Sequence, residues 1–209
     1  MNIYNLIILD ESGSMSAIYE QALSGINEVI SGIRKNADEF PDQQHFVTIV
    51  TFEGSGISGI KTRRDRVAIS KVKDFTRKDY RPGGCTPLYD AMGKTLNTLE
   101  GQINEDDRVM ATIITDGEEN SSEEYSGKAV KALVSRLREK GWTFAYIGAN
   151  QDAVEVARDL HIDNALNFDA TPTGVCMMSV SLRKASRKFS RLCDESAAPA
   201  PMADLFDED

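Results

Sequence analysis

Two hydrophobic periods alternate along the chain. Near-continuous apolar runs at residues 3–9 (IYNLIIL), 108–115 (RVMATIIT) and 143–149 (TFAYIGA) have the pattern of strands buried on both faces of a parallel sheet. Residues 45–53 (HFVTIVTFE) read as a further strand, GISGIKTR with its Ile57 and Ile60 as a shorter edge strand, and NALNF as a weak one. Between these runs apolar residues recur every three or four positions. Ala22, Ile26, Val29, Ile30, Ile33 and Ala37 form one stripe, broken by PDQQ; Leu88, Ala91, Met92, Thr95, Leu96 and Leu99 form another. Further helices are predicted over about 126–140, 153–160 and 174–193, the last striped by Val175, Met178, Leu182, Ala185, Phe189 and Leu192.

Strands that alternate with helices imply a mostly parallel sheet, because parallel neighbours need a crossover of a dozen or more residues. The expected fold class is therefore α/β: a doubly wound, mostly parallel, Rossmann-like sheet with helices on both faces and one short antiparallel edge strand. In such sheets a ligand sits outside the carboxyl ends of the strands, where the strand order reverses. A chain of 209 residues, 41% hydrophobic, can bury the core this needs as one domain. We assign residues 1–195 to it. Residues 196–209, a Pro/Ala linker followed by Leu205 and Phe206 among acids, read as a tail that is disordered when free.

Charge and cysteines narrow the setting. No apolar run approaches the roughly 20 residues of a membrane helix, and no leader pattern opens the chain. Cys85, Cys176 and Cys193 are odd in number and lack a C-x-x-C pair, which speaks against a disulfide framework or a cysteine zinc site and fits a reducing cytoplasm. A net charge of −9 disfavours nucleic acid, although Lys61 to Arg81 carries nine basic residues against three acidic ones. That stretch is either a solvated edge or a surface for an acidic partner.

Oxygen gathers at the expected strand ends. Asp10, Ser12 and Ser14 follow the first strand, and Asp116, Gly117, Glu118, Glu119 and Asn120 follow ATIIT. RPGGCTPLYDA places Thr86 just before a helix that starts near Pro87. Carboxylates and hydroxyls without Cys or His suit a hard cation such as Mg²⁺, which takes near-octahedral oxygen geometry and keeps some waters. Gly13, Gly83 and Gly84 allow these loops to turn and to approach.

These residues carry a resemblance. DESGS matches the D-x-S-x-S signature of the von Willebrand factor A (vWA) domain and resembles its metal-ion-dependent adhesion site (MIDAS). Thr86 in GGCTPLYDA matches that family's separated threonine, and IITDGEEN its later aspartate motif; the similarity runs from about Ile3 to Phe168. It implies that Ser12 and Ser14 ligate Mg²⁺, or Mn²⁺ or Ca²⁺, through their hydroxyls. Thr86 would ligate directly in a ligand-engaged state, and Asp10 and Asp116 directly or through water. One coordination position is then left for an acidic side chain of a protein partner. The implied protein is a stand-alone intracellular adaptor of bacterial type and not an enzyme. Glu11, at a variable position, receives no role.

Two alternatives use the same residues. A Mg²⁺-dependent phosphatase would employ Asp10 as nucleophile, but it wants an aspartate two residues on, where Ser12 stands. No P-loop, G-x-G-x-x-G or G-x-S-x-G motif is present. A scaffold would keep the cluster as a purely structural site. Singly, Ser14 or Ser16 could cap the first helix, Thr86 the second, and Asp116-Gly117 could be an ordinary turn. His45 and His161 read as structural, and Cys85 as a packed residue. Leu205 and Phe206 could anchor the tail in a groove of a partner or on the chain's own basic surfaces.

Overall fold

The computed structural model describes residues 1–149 and 153–207. Strands β1 (Asn2–Asp10), β2 (Gln44–Phe52), β3 (Ile60–Ala68), β4 (Arg108–Thr115), β5 (Thr143–Ala149) and β6 (Asn164–Phe168) form one sheet in the order β3-β2-β1-β4-β5-β6. All neighbours are parallel except β2 and β3. The order reverses between β1 and β4, so the chain winds outward in both directions from that pair.

Alternation along β1 explains the layers. Leu6 and Ile8 point to one face, where they pack with α2 (Leu88–Glu100) and α3 (Gly127–Glu139) and with Ala153 and Ala157 of α4 (Ala153–Asp159). Ile7 and Leu9 point to the other, against α1 (Tyr19–Glu39) and α5 (Pro172–Glu195). Helix α5 starts where Thr171 accepts a hydrogen bond from the Gly174 amide at 3.1 Å, with Pro172 in the first turn. No helix among the described residues is long and apolar enough to cross a membrane.

Two expectations are corrected. The edge strand is neither short nor centred on GISGIKTR: Ile57–Gly59 forms a 3-10 turn, and β3 runs nine residues from Ile60, as long as β1. Its Lys, Arg and Asp side chains hide it from a hydrophobic reading, while β2 supplies the pairing. The basic stretch is also partly neutralised in place. Lys61 pairs with Glu53, Arg63 with Glu11, Arg64 with Asp79, Arg66 with Asp65 and Arg77 with Glu20.

The second correction concerns residues 196–207, which lie on the domain instead of hanging free. Asn164 donates to the Met202 carbonyl at 2.9 Å and accepts from the Leu205 amide at 2.9 Å, using both ends of its amide. Thr143 Oγ1 accepts from the Met202 amide, and Arg108 donates to the Ser196 carbonyl. Leu205 is 2% exposed among Ile3, Met110, Ala145, Ala185, Phe189 and Cys193, and Phe206 packs partly against the same cluster. Lys188 on α5 donates to the Asp204 and Asp207 carbonyls. Such a segment cannot build a core alone, but the domain supplies all the other walls. While it is docked, Leu205 is not offered to a partner.

Candidate metal centre

Asp10 ends β1 beside Thr115, which ends β4, across the point where the sheet reverses. Thr115 donates its hydroxyl to Asp10 Oδ2 at 2.6 Å, and the Ser12 amide donates to Oδ1 at 2.7 Å. The Tyr80 hydroxyl holds the Asp10 carbonyl at 2.8 Å. Burial pushes the Asp10 carboxyl up to about 6, against the pull of its bonds from Thr115 and Ser12, and the charge of Asp116 adds to the rise. Burial also raises Asp116, with the Ser14 hydroxyl opposing it. Both carboxylates thus stand where negative charge is costly and a cation would be welcome.

The remaining donors close around them. Ser12 Oγ and Ser14 Oγ lie 3.1 Å apart, and Ser14 donates to Asp116 Oδ1 at 2.6 Å. Gly117 marks the centre. A Cβ placed on it would stand 3.1 Å from Thr86 Oγ1, 3.7 Å from Ser14 Oγ and 3.8 Å from Asp10 Oδ2. Asp10, Ser12, Ser14, Thr86 and Asp116 are therefore brought together, although about a hundred residues separate the first and last. Capping does not account for them. The residue before the 3-10 turn at Gly13–Ile18, before α1 and before α2 makes no side-chain cap, and the first-turn amides of Tyr89 and Asp90 in α2 are met instead by Glu119 and Ser122.

Backbone contacts lock the three loops. The Gly13 amide donates to the Gly84 carbonyl at 3.1 Å, and the Gly83 amide to the Glu11 carbonyl at 2.8 Å. The Thr86 amide donates to Asn120 Oδ1 at 2.9 Å, and the Asn120 amide returns a bond to the Thr86 carbonyl at 3.2 Å. Glu119 accepts from the amides of Tyr89, Ser121 and Ser122. Asp90, fully buried, accepts from those of Glu123, Glu124 and Tyr125. Gly84 adopts φ +69°, and a Cβ there would stand 2.6 Å from a Glu53 carboxylate oxygen and 2.7 Å from the Gly54 nitrogen.

Sequence reasoning missed Glu11, Asp90 and Thr115. A hydroxyl at the last position of an apolar strand was a signal for Thr115, and a carboxylate inside a helix's first turn for Asp90. Glu11 is 0% exposed and accepts from Arg63 Nη2 at 3.0 and 2.7 Å and from the Arg81 amide. No local pattern announces a pair 52 residues apart.

Two carboxylates and three hydroxyls make an all-oxygen set, which fits a hard divalent cation in its donor chemistry. Among the described residues no group of three or more His, Cys, Asp or Glu side chains gathers for a metal, so the hydroxyls are indispensable to such a site. Both histidines stand elsewhere. His45 is buried at the start of β2 beside Asn5, and His161 meets Ser135 at 2.6 Å. Cys85 is exposed beside Thr86, contrary to the expectation of a packed residue.

The profile of the von Willebrand factor type A domain matches residues 6–173. A search against curated proteins returns no match. Among solved structures, proximal thread matrix protein 1 from the mussel byssus superposes with a TM-score of 0.59 at 16% identity, covering 92% of this chain and 46% of that one. The SpaC pilus adhesin of Lactobacillus rhamnosus GG, in an open conformation, gives 0.62 at 13%, covering 87% and 30%. BatB of Bacteroides thetaiotaomicron gives 0.54 at 15%, covering 93% and 100%. The mussel protein is also described with a zinc-occupied MIDAS motif, at TM-score 0.60 and 16% identity over 92% and 46% of the chains. This chain thus spans about half the length of the mussel protein, and at these identities the likeness is one of fold.

Proposed function

The chain belongs to the von Willebrand factor type A domain family, and from that premise we propose that its oxygen cluster holds a divalent cation and uses it to recruit a partner protein. Ser12, Ser14 and Thr86 would hold the cation through hydroxyls, and Asp10 and Asp116 through carboxylates, directly or by way of water. Bound there, the cation supplies a coordination position for a carboxylate of the partner. Mg²⁺ is the first candidate, Mn²⁺ and Ca²⁺ the next, and the zinc-occupied MIDAS of the mussel protein adds Zn²⁺ to the set. The observation that carries this reading is the convergence of oxygens from two loops, those of Asp10 and Ser14 and of Thr86, on Gly117 of the third.

The role is that of an adaptor and not of an enzyme. The residue two positions after Asp10 is Ser12, which cannot serve as the general acid of an aspartyl phosphatase. A reducing, cytoplasmic setting fits its free cysteines Cys85, Cys176 and Cys193. The two names SpaC pilus adhesin and thread matrix protein support a binding role by analogy of fold alone.

Calorimetry with Mg²⁺ and Mn²⁺ tests the reading. The wild-type chain takes up one ion, Asp116→Ala does not, and an acidic peptide library is retained only when the ion is present. Uptake unaffected by Asp116→Ala would overturn the site. Loss of the ion with peptide retention untouched would favour the scaffold. Phosphatase turnover that disappears in Asp10→Ala would overturn the adaptor.

A further inference from the structure

We propose that Glu11 is a positioning residue: its buried carboxylate fixes where Thr86 stands relative to Asp10, Ser12, Ser14 and Asp116, and so sets the strength of cation binding. The inference rests on the cation reading above.

Glu11 lies between two donors of the cluster, yet its own oxygens are committed elsewhere. They accept from Arg63 Nη2 at 3.0 and 2.7 Å and from the Arg81 amide. Arg63 is in turn steadied by donating Nε to Thr51 Oγ1 at 2.9 Å. Four hydrogen bonds fasten residues 10–13 to residues 80–84. They run from Tyr80 Oη to the Asp10 carbonyl, from the Arg81 amide to the Glu11 carboxylate, from the Gly83 amide to the Glu11 carbonyl, and from the Gly13 amide to the Gly84 carbonyl. Glu11 makes two of the four, and among them only its carboxylate also reaches β3 through Arg63.

Thr86 stands two residues beyond Gly84, so the chain that delivers it is clamped immediately upstream. The downstream clamp is the bond from the Thr86 amide to Asn120. A carboxylate that is 0% exposed is tolerable only when its charge is met, and here the Arg63 guanidinium meets it. Glu11→Gln leaves Arg63 without its counter-charge and weakens the acceptor of the Arg81 amide. The loop then loses its tie to β3 while every cation donor keeps its side chain.

The test uses the full chain and Mg²⁺ alone, titrated by calorimetry into wild type, Glu11→Gln, Arg63→Gln, Thr86→Ala and the two double variants with Thr86→Ala. We expect Glu11→Gln and Arg63→Gln each to weaken Mg²⁺ about tenfold, the lower end for residues that orient metal ligands. In the Thr86→Ala background neither weakens it further by more than about twofold, because a residue that acts through Thr86 has nothing left to position. Equal losses in both backgrounds, or no loss from either variant, would overturn the inference. Arg63→Gln carries the test if Glu11→Gln does not fold. Amide hydrogen exchange supplies a second readout: the Thr86 amide exchanges about tenfold faster in the Glu11→Gln chain, with β4 amides unchanged. If wild type takes up no Mg²⁺, the cation reading falls, and an unchanged Thr86 amide would overturn the positioning role on its own.

Discussion

The carboxyl and amino ends of the sheet are finished in different materials. At the carboxyl end the buried carboxylates of Asp10, Glu11 and Asp90 are each met by N–H or O–H donors, and in meeting them they hold three loops. At the amino end an apolar plug does the closing, as Leu205 enters a cluster built on Ile3, Met110 and Phe189. The buried side-chain atoms without a partner among the described residues also gather there: Gln43 Oε1, His45 Nε2, Arg108 Nε and Ser190 Oγ. Each costs roughly 1–3 kcal/mol. One end therefore spends its polar groups on positioning, and the other tolerates unmatched ones beneath hydrophobic packing. A ligand site needs the first kind of construction, since loops that must present oxygens cannot be held by apolar contact alone.

The largest blow to this contrast comes from the plug. Leu205→Ala should lower stability by about 3 kcal/mol in urea unfolding, within the range for buried leucines, and leave Mg²⁺ affinity within twofold of wild type. A parallel loss of Mg²⁺ binding would mean that the two ends are coupled. Next in size, Asp116→Asn should weaken Mg²⁺ at least a hundredfold by calorimetry, about 2.7 kcal/mol, with little change in unfolding.

Acid sharpens the amino end further. Burial pushes His45 down to about 4, whereas the unfolded chain has its histidine near 6.5. As pH falls through 6.5 the unfolded state takes up the proton first. The His45 contribution is thus fully present above pH 6.5 and is lost progressively until pH falls to about 4. By pH 5 the loss is about 2 kcal/mol, measured as the change in stability relative to a His45→Gln chain, which lacks this dependence. The smallest effect is expected at α5, where Thr171→Ala removes the cap and costs about 1 kcal/mol, read as a small fall in the urea midpoint.

Much of this was legible because the period of burial is written in the side chains. Runs such as RVMATIIT are nearly continuous in apolar residues since both faces of β4 are covered, and the bounds of this run coincide with the strand. The cluster was legible for a different reason: strand ends plus loops of Asp, Ser and Thr leave few other uses for so much oxygen. β3 was misplaced because an edge strand needs no apolar face of its own; its burial is only intermediate, and Lys61, Thr62 and Asp65 are exposed. The docked tail was hidden because its stability comes from Asn164 and Thr143, far away in the chain. Glu11 was hidden likewise, since a buried charge can be recognised only with its partner, and nothing local ties it to Arg63, 52 residues away on the edge strand.

The composition of β3 bears on how the molecule behaves in crowded solution. Lys61, Arg63, Arg64 and Arg66 charge one rim of the sheet, and shifts in the β2–β3 register on either side of Ile49 distort it. The opposite rim, β6, is only five residues long, and the Met202 backbone lies against its first residue. A flat, apolar rim would template strand addition and fibril growth, whereas charge, irregularity and brevity each discourage it. Neutralising Lys61 and Arg66, the more exposed of these, would therefore be felt as turbidity on concentration.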